Sequence, residues 1–383
     1  MKIITNNTDL ADFCAQLVDQ PYITVDTEFL RERTYYAKLC LVQVSGPDKN
    51  GALIDVIEAP DMDLTPLLEL FNDPNIIKVF HAPRQDLEIF YTMFKSLPKP
   101  LFDTQIAAMV CGFGDQIGFD PLVTQTTDLE VDKGQQFTDW SKRPLSDKQK
   151  KYAMNDVVYL VDAYEKLVEL LEKRGRKTWV LEETEALLNP ALYEVKPDEA
   201  WQRLKIKSPK PRQMAVLKEV AAWREAKAQQ KDVPRTRILR DETIIDLSYN
   251  PPKKPQDLTR IRNFPKGCES KDLGHALLNA VKTAHQIPIE ECPEIKKKKP
   301  LPKQYQGAYE MLKMVLKILA AENDVAPRLL ASSEDLEAMA RHGAQADVPA
   351  LTGWRKKVFG DAAIALIAGD TGLRLVEGQI KIV

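Results

Sequence analysis

The chain has 383 residues, 44% of them apolar and 29% charged, and a net charge of −2. That length exceeds what one hydrophobic core usually supports, so two or three domains are predicted, and the composition argues against long disorder. No apolar run reaches the roughly 18 residues of a membrane helix, so no membrane partner is expected. The opening MKIITNNTDLADF has no basic stretch followed by an apolar one, so no signal peptide is predicted. The five scattered cysteines (Cys14, Cys40, Cys111, Cys268 and Cys292) form no CxxC pair, which argues against a disulfide framework or a zinc site. A reducing cytoplasm is the expected compartment. Charge is uneven along the chain. Residues 1–200 hold 21 Lys/Arg against 34 Asp/Glu, residues 201–300 hold 23 against 12, and residues 301–383 hold 10 of each. An acidic first half suits cations and a basic middle suits a polyanion, although a solvated surface with a charged linker explains the basic stretch equally simply.

KIIT reads as a short strand, followed by a helix capped at Asn7 or Thr8 with Leu10, Phe13 and Leu17 on one face. YITVDTEF, LCLVQVSG and GALIDVI are strand-like runs between turn formers. A helix near Leu64–Phe71, a strand IIKVF at 76–80 and helical segments from about 84 to 173 complete a mixed sheet covered by helices. From about residue 200 no strand pattern is apparent. RQMAVLKEVAAWREAKAQQ carries Met214, Leu217, Val220, Ala221 and Trp223 at helical spacing, and prolines then punctuate short helices. PEIKKKKPLPK is too charged to pack and reads as a linker. A second long helix opens at YQGAYEMLKMVLKILAAEND, and the two helical blocks hint at a duplicated module.

Three short segments concentrate acids. Asp26 and Glu28, two apart on a strand, point to one face, where they repel unless a cation joins them; a solvated acidic edge is the plainer reading. Asp86 follows HAPRQ after the strand IIKVF, where the helix dipole favours an acid. Tyr152 and Asp156 lie one helical turn apart behind a capping box formed by Ser146 and Gln149. Taken alone, such a pair is a half-buried tyrosine and a solvent-facing acid. Each segment is weak alone; their conjunction on these element types is specific.

VDTEF at 25–29, HAPRQDLEIF at 81–90 and the YxxxD of Tyr152 and Asp156 resemble the three motifs of the RNase D family, in the tyrosine-bearing (DEDDy) branch of the DEDD exonucleases. LCLVQVS, FDTQIAA and LEVDKGQQFTDWSKRPLSDKQKKYAMNDVVYL resemble the family as well. Asn155 stands where that pattern has a small residue. VPRTRILRDETIIDLSYNPPKKPQDLTRI resembles the HRDC domain, a small helical nucleic-acid-binding module shared with RecQ-type helicases, and residues 301–383 resemble a more divergent copy. The resemblance implies an α/β, RNase H-like DEDD exonuclease domain (1–200) with a mixed sheet flanked by helices. Two small all-α HRDC-type domains (205–290 and 304–383) would follow, joined by the Pro/Lys-rich linker at 291–303.

It also implies a 3′→5′ exoribonuclease that releases nucleoside 5′-monophosphates from RNA with a free 3′ end, above all transfer-RNA precursors, as a monomer. Asp26, Glu28, Asp86 and Asp156 would hold two divalent cations, Mg²⁺ or Mn²⁺, with Asp26 bridging them, and Tyr152 would orient the attacking water without ionising. His81 is expected to be structural. Phe29 either stacks on the terminal base or is a core residue. Lys142 and Arg143 either meet phosphate or are solvated. Arg235, Arg237, Arg240, Lys253 and Lys254 form the best basic patch for RNA. A DNA exonuclease and a catalytically silent RNA-binding scaffold are the competing readings.

Overall fold

The structure, a computed structural model, describes residues 2–127, 129, 134–294 and 300–383. The lysine run at the centre of the predicted linker, and the EVDK preceding GQQF, lie outside the described residues. Six strands form one mixed sheet in the order β1-β4-β3-β2-β5-β6: β1 Lys2–Ile4, β2 Tyr22–Leu30, β3 Lys38–Ser45, β4 Ala52–Ile54, β5 Ile77–Phe80 and β6 Leu101–Asp103. β2 lies in the interior of the sheet, antiparallel to β3 and parallel to β5.

Strand alternation divides the core. Ile23, Val25, Val42, Val44 and Phe80 pack with α1 Asn7–Ala15, α2 Thr65–Asn72 and α3 Arg84–Phe94. The intervening Tyr22 and Val79 pack the opposite way, with α4 Thr104–Val110, α5 Phe119–Thr127, α6 Asp147–Arg174 and α7 Lys177–Glu185. The cap of α1 is Asn6, whose side chain accepts from Asp9 N at 2.9 Å, one residue earlier than the sequence suggested. β6 interrupts the stretch predicted as helical from 84 to 173. Its three residues are too few to show a period, and it exists because it pairs with β5. Lys78 lies fully buried inside β5, its ammonium donating to the carbonyls of Asp73 and Ile76 at 2.7 and 2.6 Å, and burial pushes it down to about 8.

The remaining chain builds two further cores. One spans Ala200 to Cys292 around α8 Pro211–Lys231, with α9 Arg235–Ile238, α10 Asp241–Tyr249 and α11 Asp272–Gln286. The other begins with α12 Lys303–Glu322, α13 Pro327–Leu330 and α14 Ser333–His342 and reaches Ile382. It ends in a hairpin, β7 Leu373–Val376 and β8 Gln379–Ile382, which corrects the expectation that no strand follows residue 200. Its turn, Glu377-Gly378, has φ of +51° and +81°, the double positive φ of a tight hairpin turn.

Candidate active site

Asp26 and Glu28 share the strand face of Tyr22 and Thr24, which looks toward α6. Thr24 Oγ1 donates to the carbonyl of Val157 at 2.8 Å, pinning β2 beside the helix residue that follows Asp156. A bulge between Glu28 and Phe29 ends the regular pairing with β3 just past the second acid. On the other side, α6 begins with the capping box of Ser146 and Gln149, and Tyr152 and Asp156 follow on one face. Ligand oxygens of Asp26, Glu28 and Asp156 come within 4.8 Å of one another. Asp86, in the first turn of α3, approaches from the opposite layer and accepts a hydrogen bond from Thr27 Oγ1, between the two β2 acids. It stays outside the 4.8 Å group.

Crowding these acids has an electrostatic cost. Burial pushes Asp26 up to about 6. Glu28 goes up to about 10 through burial and then the charges of Asp26, Asp156 and Asp86. Asp86 rises to about 8 through burial and then Asp26. Asp156 is raised well above the ordinary carboxylate range by burial, then by Asp26 and Asp120. Like charges gathered in a half-buried site hold protons tightly until a cation replaces them. The donors are all oxygen, which suits a hard divalent ion.

Two lobes of one cleft flank the cluster, about 390 and 530 Å³ in volume, and share Asp26, His81, Gln136 and Tyr152 in their walls. His81 Nδ1 lies 3.0 Å from Thr104 Oγ1, and burial pushes the ring down to about 4, so it is a neutral structural imidazole. Asp120 in the smaller lobe, and Gln136 and Phe137 at the larger one, were not singled out in the sequence. Asp120 is a helix-start acid that belongs to no motif. Gln136 and Phe137 sit inside the GQQFTDW stretch, but nothing in its periodicity marks them.

The candidate RNA contacts divide. Phe29 is half-buried, packing against the sheet core and also lining the larger lobe. Lys142 is 80% exposed and 3.9 Å from Asp139. Arg143 is turned inward instead. Its guanidinium bonds Asp55 at 2.6 and 2.5 Å and the carbonyls of Trp140, Lys142 and Cys40 at 2.7, 2.8 and 3.0 Å, so neither solvated surface nor a phosphate contact describes it. Arg235 is likewise spent internally, paired with the buried Glu225 at 2.6 Å and lying over the ring of Tyr35. Arg237, Arg240, Lys253 and Lys254 are exposed.

Residues 1–172 match the 3′-5′ exonuclease family model and residues 213–281 match that of the HRDC domain. Over 381 residues the chain is 42% identical to the ribonuclease D of Bartonella henselae, covering 100% of this chain and 93% of the relative. It is 44% identical to that of Granulibacter bethesdensis, covering 100% and 96%. Escherichia coli RNase D, an exoribonuclease involved in structured RNA processing, superimposes with a TM-score of 0.81 at 30% identity, covering 96% of this chain and 98% of that one. Fold and relatives together define a 3′→5′ exoribonuclease, a hydrolase of phosphodiester bonds, rather than a DNA exonuclease or a silent scaffold. Within that class the chain belongs to the ribonuclease D family.

Proposed function

We propose that the chain trims the 3′ ends of transfer-RNA precursors, releasing nucleoside 5′-monophosphates, with Asp26, Glu28, Asp86 and Asp156 holding two Mg²⁺ or Mn²⁺ ions. The observation that carries the reading of the site is the convergence of three carboxylates within 4.8 Å beside Tyr152. Bound there, the cations supply charge stabilisation at phosphorus and a nucleophile at neutral pH. Asp26, which lines both lobes, would hold the ions together with Glu28 and Asp156, and Asp86 would support them from its seat beside Thr27. Tyr152 is held above the ordinary phenol range by burial and then by Asp156, Glu28 and Asp26. Its hydroxyl therefore stays protonated and orients water by hydrogen bonding rather than by taking its proton.

Arg237, Arg240, Lys253 and Lys254, with Lys142, are exposed cations that would hold the body of the RNA. We infer that residues 304–383 are a second HRDC-like unit. α12, α13 and α14, of 20, 4 and 10 residues, follow the order of α8, α9 and α10, of 21, 4 and 9. All five cysteines are free, as suits a cytoplasmic enzyme, and the resemblance implies that it works as a monomer.

Two measurements test the proposal. Asp26→Asn or Asp156→Asn in the full chain should lower Mg²⁺-dependent cleavage by at least a thousandfold, with RNA binding largely kept; substantial activity in either pure variant contradicts the metal assignment. In competition, a 3′-extended transfer-RNA precursor should be trimmed in preference to an unstructured RNA of equal length. A tenfold preference for the unstructured RNA would remove the transfer-RNA reading and leave the chemistry intact.

A further inference from the structure

Phe137 is 95% exposed, while the nearby Trp140 and Leu145 are buried. A single exposed apolar side chain is ordinary; the location of this one is not. It lines the larger cleft lobe together with Asp26, Glu28, Asp86 and Tyr152. The residue after it is anchored. Thr138 N and Oγ1 both donate to the carbonyl of Gln135, at 3.1 and 2.9 Å, and Gln149 Nε2 reaches Thr138 Oγ1 at 3.2 Å. Gln149 belongs to the first turn of α6, three residues before Tyr152, so the loop bearing the phenyl ring is tied to the helix that bears Tyr152 and Asp156. Phe29 lines the same lobe from β2. Two aromatic rings from different elements thus border a cleft whose floor is acidic.

We propose that Phe137 is a nucleobase platform: its ring stacks on a base of the single-stranded 3′ end, adjacent to the scissile phosphodiester. Acids repel the RNA backbone except where cations intervene, so the polar floor binds the phosphate only through those ions. The aromatic wall of Phe29 and Phe137 is suited to hold the base. Stacking on an aromatic face tolerates any base, as removal of successive nucleotides demands. The proposal rests on reading the acidic cluster as the phosphodiester-cleaving centre.

The test uses full-length Phe137→Ala, Phe137→Tyr and the parent protein on three RNAs with single-stranded 3′ tails. One is unmodified, one is abasic at the last nucleotide and one is abasic at the second-last. Because the ring packs in no core, the melting temperature should not change. On unmodified RNA, Phe137→Ala should lower kcat/KM by roughly tenfold, the scale of one stacked base, and Phe137→Tyr should restore it. On one of the two abasic RNAs, parent and Phe137→Ala should become equal. Unchanged kcat/KM on unmodified RNA overturns the proposal, and so does a gap that persists on both abasic RNAs. Mg²⁺-dependent cleavage by the parent, and its loss in Asp26→Asn, check the underlying reading separately.

Discussion

Tyr152 is held between the ring of Trp140, 6.1 Å away between centroids, and the carboxylate of Asp156 one helical turn on. Removing only its hydroxyl leaves the ring packed. Tyr152→Phe should therefore lower kcat by about a hundredfold, the scale of a misplaced nucleophile, with a much smaller change in RNA affinity. Single-turnover measurement separates the two, and an unchanged rate there refutes the water-orienting role. The acids around it give a second prediction, with a definite sign. Asp26, Glu28, Asp86 and Asp156 all hold their protons more tightly folded than unfolded when no cation is present. The folded state then binds more protons than the unfolded chain, so this contribution to stability is full below about pH 4 and is lost as pH rises through the folded values, from about 6 for Asp26 through about 8 for Asp86 to about 10 for Glu28. Cations that pair the carboxylates remove the loss. The melting-temperature advantage of Mg²⁺ over chelator should therefore grow between pH 5 and pH 8, and a constant difference contradicts it.

Among elements, β2 and α6 do most to place the site. Strand alternation puts Asp26 and Glu28 toward α6, and puts Thr27 toward Asp86 on α3, so one strand gathers acids from both helical layers. The loop leading into α6 is locked to the sheet by Arg143, whose guanidinium meets the buried Asp55. Asp55 also accepts from the amides of Ile57 and Glu58. Arg143→Ala leaves Asp55 buried without its cation, at a cost of about 3 kcal/mol or more. Chemical denaturation of the full chain should show that loss, whereas the salt dependence of RNA binding should stay as in the parent because the side chain faces inward. A flatter salt dependence would restore the phosphate-contact reading.

At the scale of the whole molecule, both helical units dock on the nuclease. The first does so through Tyr35, whose hydroxyl bonds the fully buried Glu225 and whose amide, with that of Tyr36, donates to Asp232 at 3.0 Å. The second does so through Trp179 and Trp354, stacked 4.2 Å apart at 9°, and through Arg355 on Glu183 at 2.5 Å. Gly112, at φ +83°, lets Asp324 approach; a Cβ there would lie 2.8 Å from its carbonyl oxygen. Arg235 is consumed in the first contact, so of the basic patch proposed to hold RNA, Arg237, Arg240, Lys253 and Lys254 remain exposed. Replacing these four by alanine should weaken binding to a hairpin RNA with a 3′ tail. It should also flatten log K against log salt by roughly 1 for each cation that contacts phosphate. An equal slope in parent and variant would mean that this face does not touch RNA.

Much of this was legible before any coordinates. The alternation of ITVDTEF, the one-turn spacing of Tyr152 and Asp156 and the cap at Ser146 are local properties, set by the backbone periods of strand and helix, and they led to the acids and to the element types. Two features were local and still escaped: Asn6 as the first cap, and the Leu-Arg-Leu-Val turn Ile-Lys-Ile hairpin at the C-terminus. The rest depended on distant partners. β6 is a strand because β5 lies beside it. Arg143 and Arg235 are surface cations by composition, and become interior ones because Asp55 and Glu225, 88 and 10 residues away, are carried to them. Phe137 carries no mark in the sequence, and only the fold leaves it exposed on the wall of the cleft. Residue type and spacing determine which chemistry a chain can carry. Whether a charge meets solvent or a buried partner is decided by burial and long-range pairing, which only the folded chain supplies.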